Sequence, residues 1–263
     1  MPRLTPAPEQ PSAVAGALGE TGWSQLQLEV LGHPTLLAVR GGGPGLLIDA
    51  RQLLDEYDRR WNPDRPESLV AQIEAAGGEA VPVDDETFQL VRRSVEAADL
   101  TLGTVGSEGL ELNEVLARVA APEGSVLDVD DLARAMVADR VAESLVDDAR
   151  ALGAVVDVGG ALRLAGAVAE GSAWVIDVPD VRTDDPGGPP AAQLGIAGGA
   201  CVTVERPTSD LATVTVLGDD AVTTMVWAAA GMEEVVEAVG VPALFVPVDG
   251  DPVHLNGIEV FLR

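Results

Sequence analysis

The chain has 263 residues, with 43 acidic and 16 basic side chains, a formal net charge of −27 and a sequence pI near 4.1. All 16 basic residues are Arg, so chemistry that requires a lysine, such as a Schiff base or a phosphate-loop lysine, is excluded. The negative charge repels phosphate backbones and anionic lipids, which argues against nucleic acid and membrane surfaces as partners. At 47% hydrophobic and 22% charged, the composition is that of a globular protein with a substantial core.

Cysteine and histidine are scarce in this sequence. The single Cys201 cannot form an intramolecular disulfide, and two His residues cannot complete a common His/Cys zinc site. The sequence shows no secretory leader pattern, no lipid-attachment cysteine and no uninterrupted apolar run approaching about 20 residues. We therefore expect a soluble, cytoplasmic protein without disulfides, in which Cys201 is an inert buried thiol.

Periodicity predicts the elements of the first half of the chain. Residues 1–20 are rich in Pro, Ala and Gly and predict a flexible leader, followed by a single domain over 21–263. Polar and apolar residues then alternate over 25–30, which predicts a strand with one buried face. Helices are predicted over residues 50–61, from Asp84 and Asp85 through Val95, and from the acids at 128–131 to a stop at Gly153.

Short strands dominate the second half of the chain. Because helices concentrate before residue 153 and strands after it, we predict an α+β fold with helices against a largely antiparallel sheet. The predicted strands are 154–158, 174–178, 200–204, 212–217, 244–248 and a last one ending at Phe261. One helix is predicted from Asp219 or Asp220 through Trp227, another over 233–239, and a surface loop over 183–190.

Two sequence patterns suggest ligands but have simpler explanations. The glycine run at 41–45 could approach a phosphate, but it has no Lys and no helix predicted directly after it, so a flexible connection is favoured. Repeated Asp pairs could hold a hard cation. Counting from Asp128, however, the sixth position is Ala133 instead of the Gly of a calcium loop, which favours solvated helix starts.

The two histidines do not indicate a hydrolase. His33 lies in a turn between Gly32 and Pro34, and His254 lies in a C-terminal hairpin. Neither has a Ser or Cys at a recognisable nucleophile spacing, which argues against a hydrolytic triad.

A set of motifs in the same order resembles the ApbE family of FAD:protein FMN transferases. Residues 127–140 (Leu-Asp-Val-Asp-Asp-Leu-Ala-Arg-Ala-Met-Val-Ala-Asp-Arg) are similar to the family's Asp-Leu-Gly-Gly-Ile-Ala-Lys-Gly-Tyr-Ala-Val-Asp-Arg. Residues 156–161 (Val-Asp-Val-Gly-Gly-Ala) are similar to its Asn-Leu-Gly-Gly-Asp. Further similarity lies in 57–64, 77–78 and 81–83 for the first half of the family, in 199–203 for its Gly-Ala-Val-Ala-Thr, and in 214–216 with the following helix for its Ser-Val-Thr-Val strand.

The resemblance implies an ApbE-like, T-fold-like architecture and flavin chemistry. Members bind FAD and Mg²⁺, split the pyrophosphate and attach FMN to a Thr of a partner flavoprotein, or hydrolyse FAD to FMN and AMP. Carried over by position, cofactor binding falls to Arg134, Gly159, Gly160 and Thr203. Asp128 and Asp139, together with Arg134, are the candidates for catalysis.

Several positions depart from the family pattern. The family's Lys is Arg134, its Gly-Gly is Asp130-Asp131, and the acid that closes its Asn-Leu-Gly-Gly-Asp is Ala161. A metal-binding Asp and a Thr one turn later align with Met225 and Ala229, and a thioether is a poor ligand for Mg²⁺. The family's His and Asp-Pro-x-Thr-Gly loop are missing from the short link over 205–213.

These departures favour a degenerate ApbE-like member without a metal site, acting as a binding or scaffolding module beside a flavoprotein or an active relative. One alternative is an active, diverged FAD:protein FMN transferase or FAD pyrophosphatase, with Arg134 as the phosphate cation and Asp128, Asp139 or Asp157 as acids. Another is a module that binds a small cationic or neutral ligand in the former flavin cleft.

Overall fold

The main sheet of the molecule contains eight strands, and every neighbouring pair is antiparallel. The computed structural model describes residues 22–42, 45–149, 151–167, 173–182, 189–208 and 210–263. In chain order the elements are β1 (Trp23–Val30), β2 (His33–Arg40), α1 (Gly45–Trp61), α2 (Leu69–Ala75), β3 (Val81–Pro82), α3 (Asp85–Leu100), β4 (Glu111–Asn113), β5 (Arg118–Ala120), α4 (Asp130–Glu143), β6 (Gly153–Val158), β7 (Ala161–Gly166), β8 (Trp174–Val178), β9 (Ala192–Ile196), β10 (Gly199–Thr208), β11 (Leu211–Gly218), α5 (Ala221–Ala230), α6 (Glu233–Val239), β12 (Ala243–Pro247) and β13 (Val253–Leu255).

The strand order of the main sheet is β1-β2-β6-β7-β10-β11-β12-β13, with a three-stranded sheet β3-β5-β4 and a hairpin β8-β9 beside it. Side chains alternate across the main sheet, as the pleat requires. On β6, Val156 packs with the helices, whereas Val155 packs with Trp174 and Ile176 of the β8-β9 hairpin. The sheet is therefore the middle of three layers, with buried side chains on both faces.

Helix α4 lies against β6 and β7 and also contacts α1 and α5. It is buried on nearly every side, which explains why its apolar residues show no narrow stripe. Because α4 starts near the β6-β7 turn, its first turn can bring side chains to that turn.

The fold class predicted from the sequence is confirmed: the structure combines helices with a largely antiparallel sheet. The helix after Asp84 is also confirmed, because the Asp84 carboxylate accepts from the Thr87 backbone N–H at 2.7 Å. Within the described ranges, no helix combines the length and apolar character needed to cross a bilayer. The 1–20 leader and most of the 183–190 loop lie outside the described residues, and the single domain over 21–263 stays a prediction.

Helix α1 begins at Gly45, directly after the glycine run, and not at residue 50 as predicted. The expectation that no helix opens there is therefore wrong. Its first turn contains no fully buried residue: Leu46 and Leu47 are only partly buried, and Ile48 is 60% exposed. Helix α2, whose N-cap is Ser68, was not predicted from the sequence.

The helix that begins at Asp130 does not continue to Gly153. Its α-helical part ends at Glu143, and a π-helical turn, Ser144–Asp148, follows. The prediction extended the helix because Leu145 and Leu152 continue the apolar spacing. In the structure Leu145 is buried in the π turn, whereas Leu152 lies beyond it and is 60% exposed. Gly153 is the first residue of β6.

The predicted final strand ending at Phe261 is also wrong. The chain forms the short β13 and then a 3₁₀ turn, Ile258–Phe261. Ile258 is buried and Val260 is 85% exposed, so the apolar residues do not mark one face of a strand.

Cys201 lies on β10 and is 1% exposed, and burial raises the pKa of its thiol to about 12. We expect Ellman's reagent to leave the native protein unlabelled and to release one thiol equivalent per chain in denaturant, because the reactive thiolate is suppressed by burial. The variant C201A gives the blank. Rapid labelling of the native protein would contradict this placement.

Candidate functional site

The side chain of Arg134 joins the start of α4 to the β6-β7 turn. It is 9% exposed, and its guanidinium donates to the backbone carbonyl oxygen of Gly159 and to a carboxylate oxygen of Asp131. Its Nε lies 3.3 Å from Asp130 Oδ2. The positive charge is thus compensated within the chain by two carboxylates and one carbonyl group.

His33, the first residue of β2, extends this cluster. Its Nε2 lies 3.1 Å from Asp130 Oδ2, so Asp130 bridges His33 and Arg134. Burial acts to raise the pKa of Asp130, but the hydrogen bond with His33 and the charge of Arg134 outweigh it, and the pKa is lowered. We call His33, Asp130, Asp131 and Arg134 the arginine clamp.

The glycine turn at 159–160 is packed against the chain's own atoms. A Cβ on Gly159 would lie 2.9 Å from His33 Cβ and 3.1 Å from an Arg134 terminal nitrogen. A Cβ on Gly160 would lie 2.5 Å from the carbonyl oxygen of Thr203. Both glycines also have positive φ, 56° and 89°, which favours glycine in the tight β6-β7 turn. Local packing therefore accounts for both glycines without a ligand.

Asp157 and Thr203 support the same turn from the strands. The Asp157 Oδ1 accepts from the Gly160 backbone N–H at 2.9 Å, and the Thr203 backbone N–H donates to the Gly160 carbonyl at 3.0 Å. Burial raises the pKa of Asp157, partly offset by that hydrogen bond and by the charge of Arg134. The Thr203 hydroxyl lies 3.0 Å from the Thr215 hydroxyl, whereas the neighbouring Val202 packs on the helix side of the sheet. The Thr203 side chain thus lies on the sheet face opposite α4.

Asp128 precedes α4 and is held by its backbone. Its N–H and carbonyl oxygen are hydrogen-bonded to Ser107 Oγ at 2.9 and 3.0 Å. Partial burial and the nearby Asp131 charge raise the pKa of its carboxyl group. With Asp130, Leu31 and Trp61 it lines a small cavity of about 100 Å³. A volume of that size holds a few water molecules and is too small for a dinucleotide.

Asp139 lies five residues beyond Arg134 on α4, which places it at a different angle around the helix. It is buried, and its carboxylate accepts from the backbone N–H groups of Ala221 and Val222 at 2.9 to 3.2 Å. Arg163 Nε lies 3.3 Å away. These contacts connect Asp139 to the N-terminus of α5 and not to the arginine clamp.

Two positions on α5 align with a metal-binding Asp and a Thr of the family. The side chains found there do not fit Mg²⁺. Met225 is fully buried and Ala229 is 8% exposed, both within the apolar core beneath α5. Across the described ranges, no group of three or more His, Cys, Asp or Glu side chains is arranged to hold a metal ion. A hard cation needs oxygen ligands, and α5 offers none at these two positions.

Part of this site was visible in the sequence. Asp130 and Asp131 precede Arg134 by four and three residues, the spacing at which side chains meet on a helix. The role of His33 was missed, because its contact with Asp130 spans 97 residues of sequence. The pairing of Thr203 with Thr215 required the β10-β11 register, which sets these residues opposite each other.

The architecture is that of solved ApbE proteins. The ApbE protein from Thermotoga maritima superposes with a TM-score of 0.80 at 20% identity, covering 92% of this chain and 99% of that one. The apo flavinyl transferase ApbE from Pseudomonas stutzeri gives 0.76 at 16% identity, covering 91% and 96%. The flavin transferase ApbE from Vibrio cholerae gives 0.72 at 17% identity, covering 91% and 99%.

The model of the ApbE family matches residues 98–204, a segment that includes α4 and the β6-β7 turn. No curated protein sequence matches the chain. The chain is therefore similar in sequence to the ApbE family over residues 98–204 and shares the fold of solved ApbE proteins over most of its length.

Neutralising the two clamp carboxylates should make Arg134 available to an anion. In D130N/D131N we expect pyrophosphate at ten times its Kd to raise the melting temperature by about 3 °C, with no shift in the wild type. Adding R134M to that variant should remove the shift. The matched control is D147N/D148N, which makes the same charge change at exposed residues of the π turn. A comparable shift in the wild type would show that Arg134 is already free.

The pKa of Asp139 is raised to about 6 by burial, only partly offset by the α5 N–H groups and Arg163. Since the folded state binds this proton more tightly than the unfolded chain, the contribution of Asp139 to stability falls as pH rises from about 4 to about 6. D139N should lack this slope, changing its stability relative to the wild type by up to about 3 kcal/mol across that window.

Urea unfolding at pH 4, 5, 6 and 7 measures the difference. D148N is the control, because it removes one exposed carboxylate. Parallel pH profiles of D139N and the wild type would contradict the raised pKa.

Proposed function

We propose that this chain is a non-catalytic member of the ApbE family that keeps the fold and acts through binding. The observation that carries the proposal is the arginine clamp. Arg134, at the position of the family's Lys, already has its charge compensated by Asp130 and Asp131, and it also donates to Gly159.

Electrostatics support this proposal. Cleavage of a pyrophosphate requires cations that neutralise the negative charge developing on the bridging oxygen. At the arginine clamp a diphosphate would approach one compensated guanidinium and the carboxylates of Asp128, Asp130 and Asp131. The repulsion in a partly buried site is stronger than in water, because the local dielectric constant is lower.

The apolar positions on α5 support it independently. A bound Mg²⁺ would supply the second cation that FAD cleavage needs, but the carried-over position holds the buried thioether of Met225. The β10-β11 link offers no His either. Of the candidate acids, Asp139 is committed to the N-terminus of α5, which leaves Asp128 and Asp157 as the acids that interact with the charge of Arg134.

One specific observation favours the second candidate, an active, diverged FAD:protein FMN transferase that modifies a Thr of a partner flavoprotein. The fold spans nearly the whole length of two proteins named as flavin or flavinyl transferases, and a buried Arg still contacts the glycine turn. In this alternative, FAD is the substrate and a flavoprotein the partner. For the non-catalytic module, we propose a flavoprotein or an active relative as the partner and the cytoplasm as its location.

An assay of AMP release separates the two candidates. Incubated with FAD and Mg²⁺, the purified chain should release no AMP above a buffer blank, because Arg134 is already compensated and Met225 and Ala229 occupy the carried-over metal positions. The Vibrio cholerae flavin transferase serves as the positive control. Steady AMP release that disappears in R134M would overturn the proposal.

A melting-temperature measurement with FAD tests binding without catalysis. A higher melting temperature with FAD, without AMP release, would indicate a flavin-binding module. An unchanged melting temperature would indicate a module that acts without flavin.

A further inference from the structure

Exposed apolar side chains concentrate on one hairpin of the described surface. Residues 100–126 contain five of the eleven large hydrophobic residues that are exposed in the described part of the chain. The most exposed are Val115 at 93% and Leu102 at 88%. The five are Leu100, Leu102, Val115, Leu116 and Val126. We call residues 99–126 the hairpin surface.

The backbone places these side chains at the two ends of one structure. Strands β4 and β5 pair antiparallel, and further along the same hairpin Glu108 and Val126 exchange two backbone hydrogen bonds of 2.9 Å. Val115 and Leu116 lie in the turn at its tip. Leu102 lies at the base of the hairpin, because a Cβ on the adjacent Gly103 would collide with the Glu108 carboxylate. The tip and the base of the hairpin are roughly 17 Å apart along the strands. One protein interface of about 800 Å² per partner is wide enough to cover both ends.

The backbone conformation of Leu102 belongs to the C-terminal cap of α3, in which the Gly103 N–H donates to the Ala98 carbonyl oxygen at 2.8 Å. The Leu102 φ of 54° lies in the left-handed region, which favours glycine over a branched side chain. Its side chain is nevertheless exposed and does not belong to the core. Glycine would satisfy this cap with less strain, so the exposed Leu102 side chain adds apolar surface that the helix end does not require.

The charges of the hairpin surface are almost all negative and unpaired. It contains five exposed carboxylates and one Arg, Arg118. Within the described ranges none of the five carboxylates has an ion pair within 4 Å, and the five are Asp99, Glu108, Glu111, Glu114 and Glu123. Such a surface is complementary to Lys or Arg side chains arranged around an apolar hollow.

We propose that the hairpin surface docks a protein partner whose binding face is basic with an apolar centre. Leu102, Val115 and Leu116 are the apolar anchors, and the carboxylates around them steer and orient the partner. A second copy of this chain is disfavoured, because both copies carry a net charge of −27 and would bring the same carboxylates together. Anionic lipid is disfavoured by the same repulsion.

This inference rests on the proposed function, since a non-catalytic module acts by what it binds. The two can nevertheless fail separately, because the hairpin surface lies outside the arginine clamp and the binding test involves no flavin.

The test uses a labelled amphipathic helical peptide of Leu and Lys as the probe, titrated with the full chain and followed by fluorescence anisotropy. L102S/V115S/L116S should weaken binding at least fivefold. Its matched control, I48S/V239S/V260S, removes three exposed apolar residues elsewhere and should change the Kd less than twofold. Circular dichroism of each variant checks the fold.

A second pair of variants separates local recognition from net charge. E108Q/E111Q/E114Q should weaken binding at least fivefold, whereas E233Q/E234Q/E237Q, with the same charge change on exposed residues of α6, should change it less than twofold. Equal effects of the two triple variants would overturn the proposal, because the peptide would then respond only to net charge. Unchanged binding by L102S/V115S/L116S would also overturn it.

Sedimentation tests the competing occupants. We expect the wild type to sediment as a monomer and to leave vesicles of anionic lipid in solution unbound. A dimer that L102S/V115S/L116S converts to monomer would assign the hairpin surface to a second copy and overturn the proposal. Vesicle binding lost in the same variant would assign it to lipid and overturn the proposal likewise.

Discussion

The arginine clamp fixes the relative position of a helix, a turn and a strand. A buried guanidinium is stable only when carboxylates or carbonyl groups compensate its charge and accept its N–H groups. Arg134 donates to Asp131 and to the Gly159 carbonyl, while Asp130, 3.3 Å from its Nε, adds charge compensation and continues the contact to His33. The start of α4, the β6-β7 turn and the start of β2 are therefore held by one charged cluster.

The same helix carries a second buried charge that acts at a different place. Asp139 accepts from the N-terminal N–H groups of α5 and pairs with Arg163, whose backbone belongs to β7. Both buried charges of α4 are thus engaged in contacts that connect elements. Charges engaged in such internal contacts are less available to a ligand.

The sequence predicted elements well where periodicity and capping agreed. The helix after Asp84 had both signals and was found. The errors occurred where apolar spacing continued past a change in backbone geometry, as at the π turn after Glu143, or where burial was low, as in the first turn of α1. The contact between Asp130 and Arg134 could be predicted from helix spacing. The contact with His33 could not, because it depends on packing between α4 and β2.

The absence of lysine connects the composition of the chain to the site itself. A lysine ammonium has three donors on a flexible stem, whereas a guanidinium has five N–H donors in a fixed plane and needs more acceptors when buried. At Arg134 the acceptors are Asp131 and the Gly159 carbonyl, and Asp130 adds a second carboxylate 3.3 Å from Nε. The Arg and the two Asp residues therefore form one cluster, in which the carboxylates compensate the charge that an anionic ligand would use. On this reasoning an Arg134→Lys substitution alone would not free a cation for an anionic ligand, because both carboxylates would remain beside the new ammonium group.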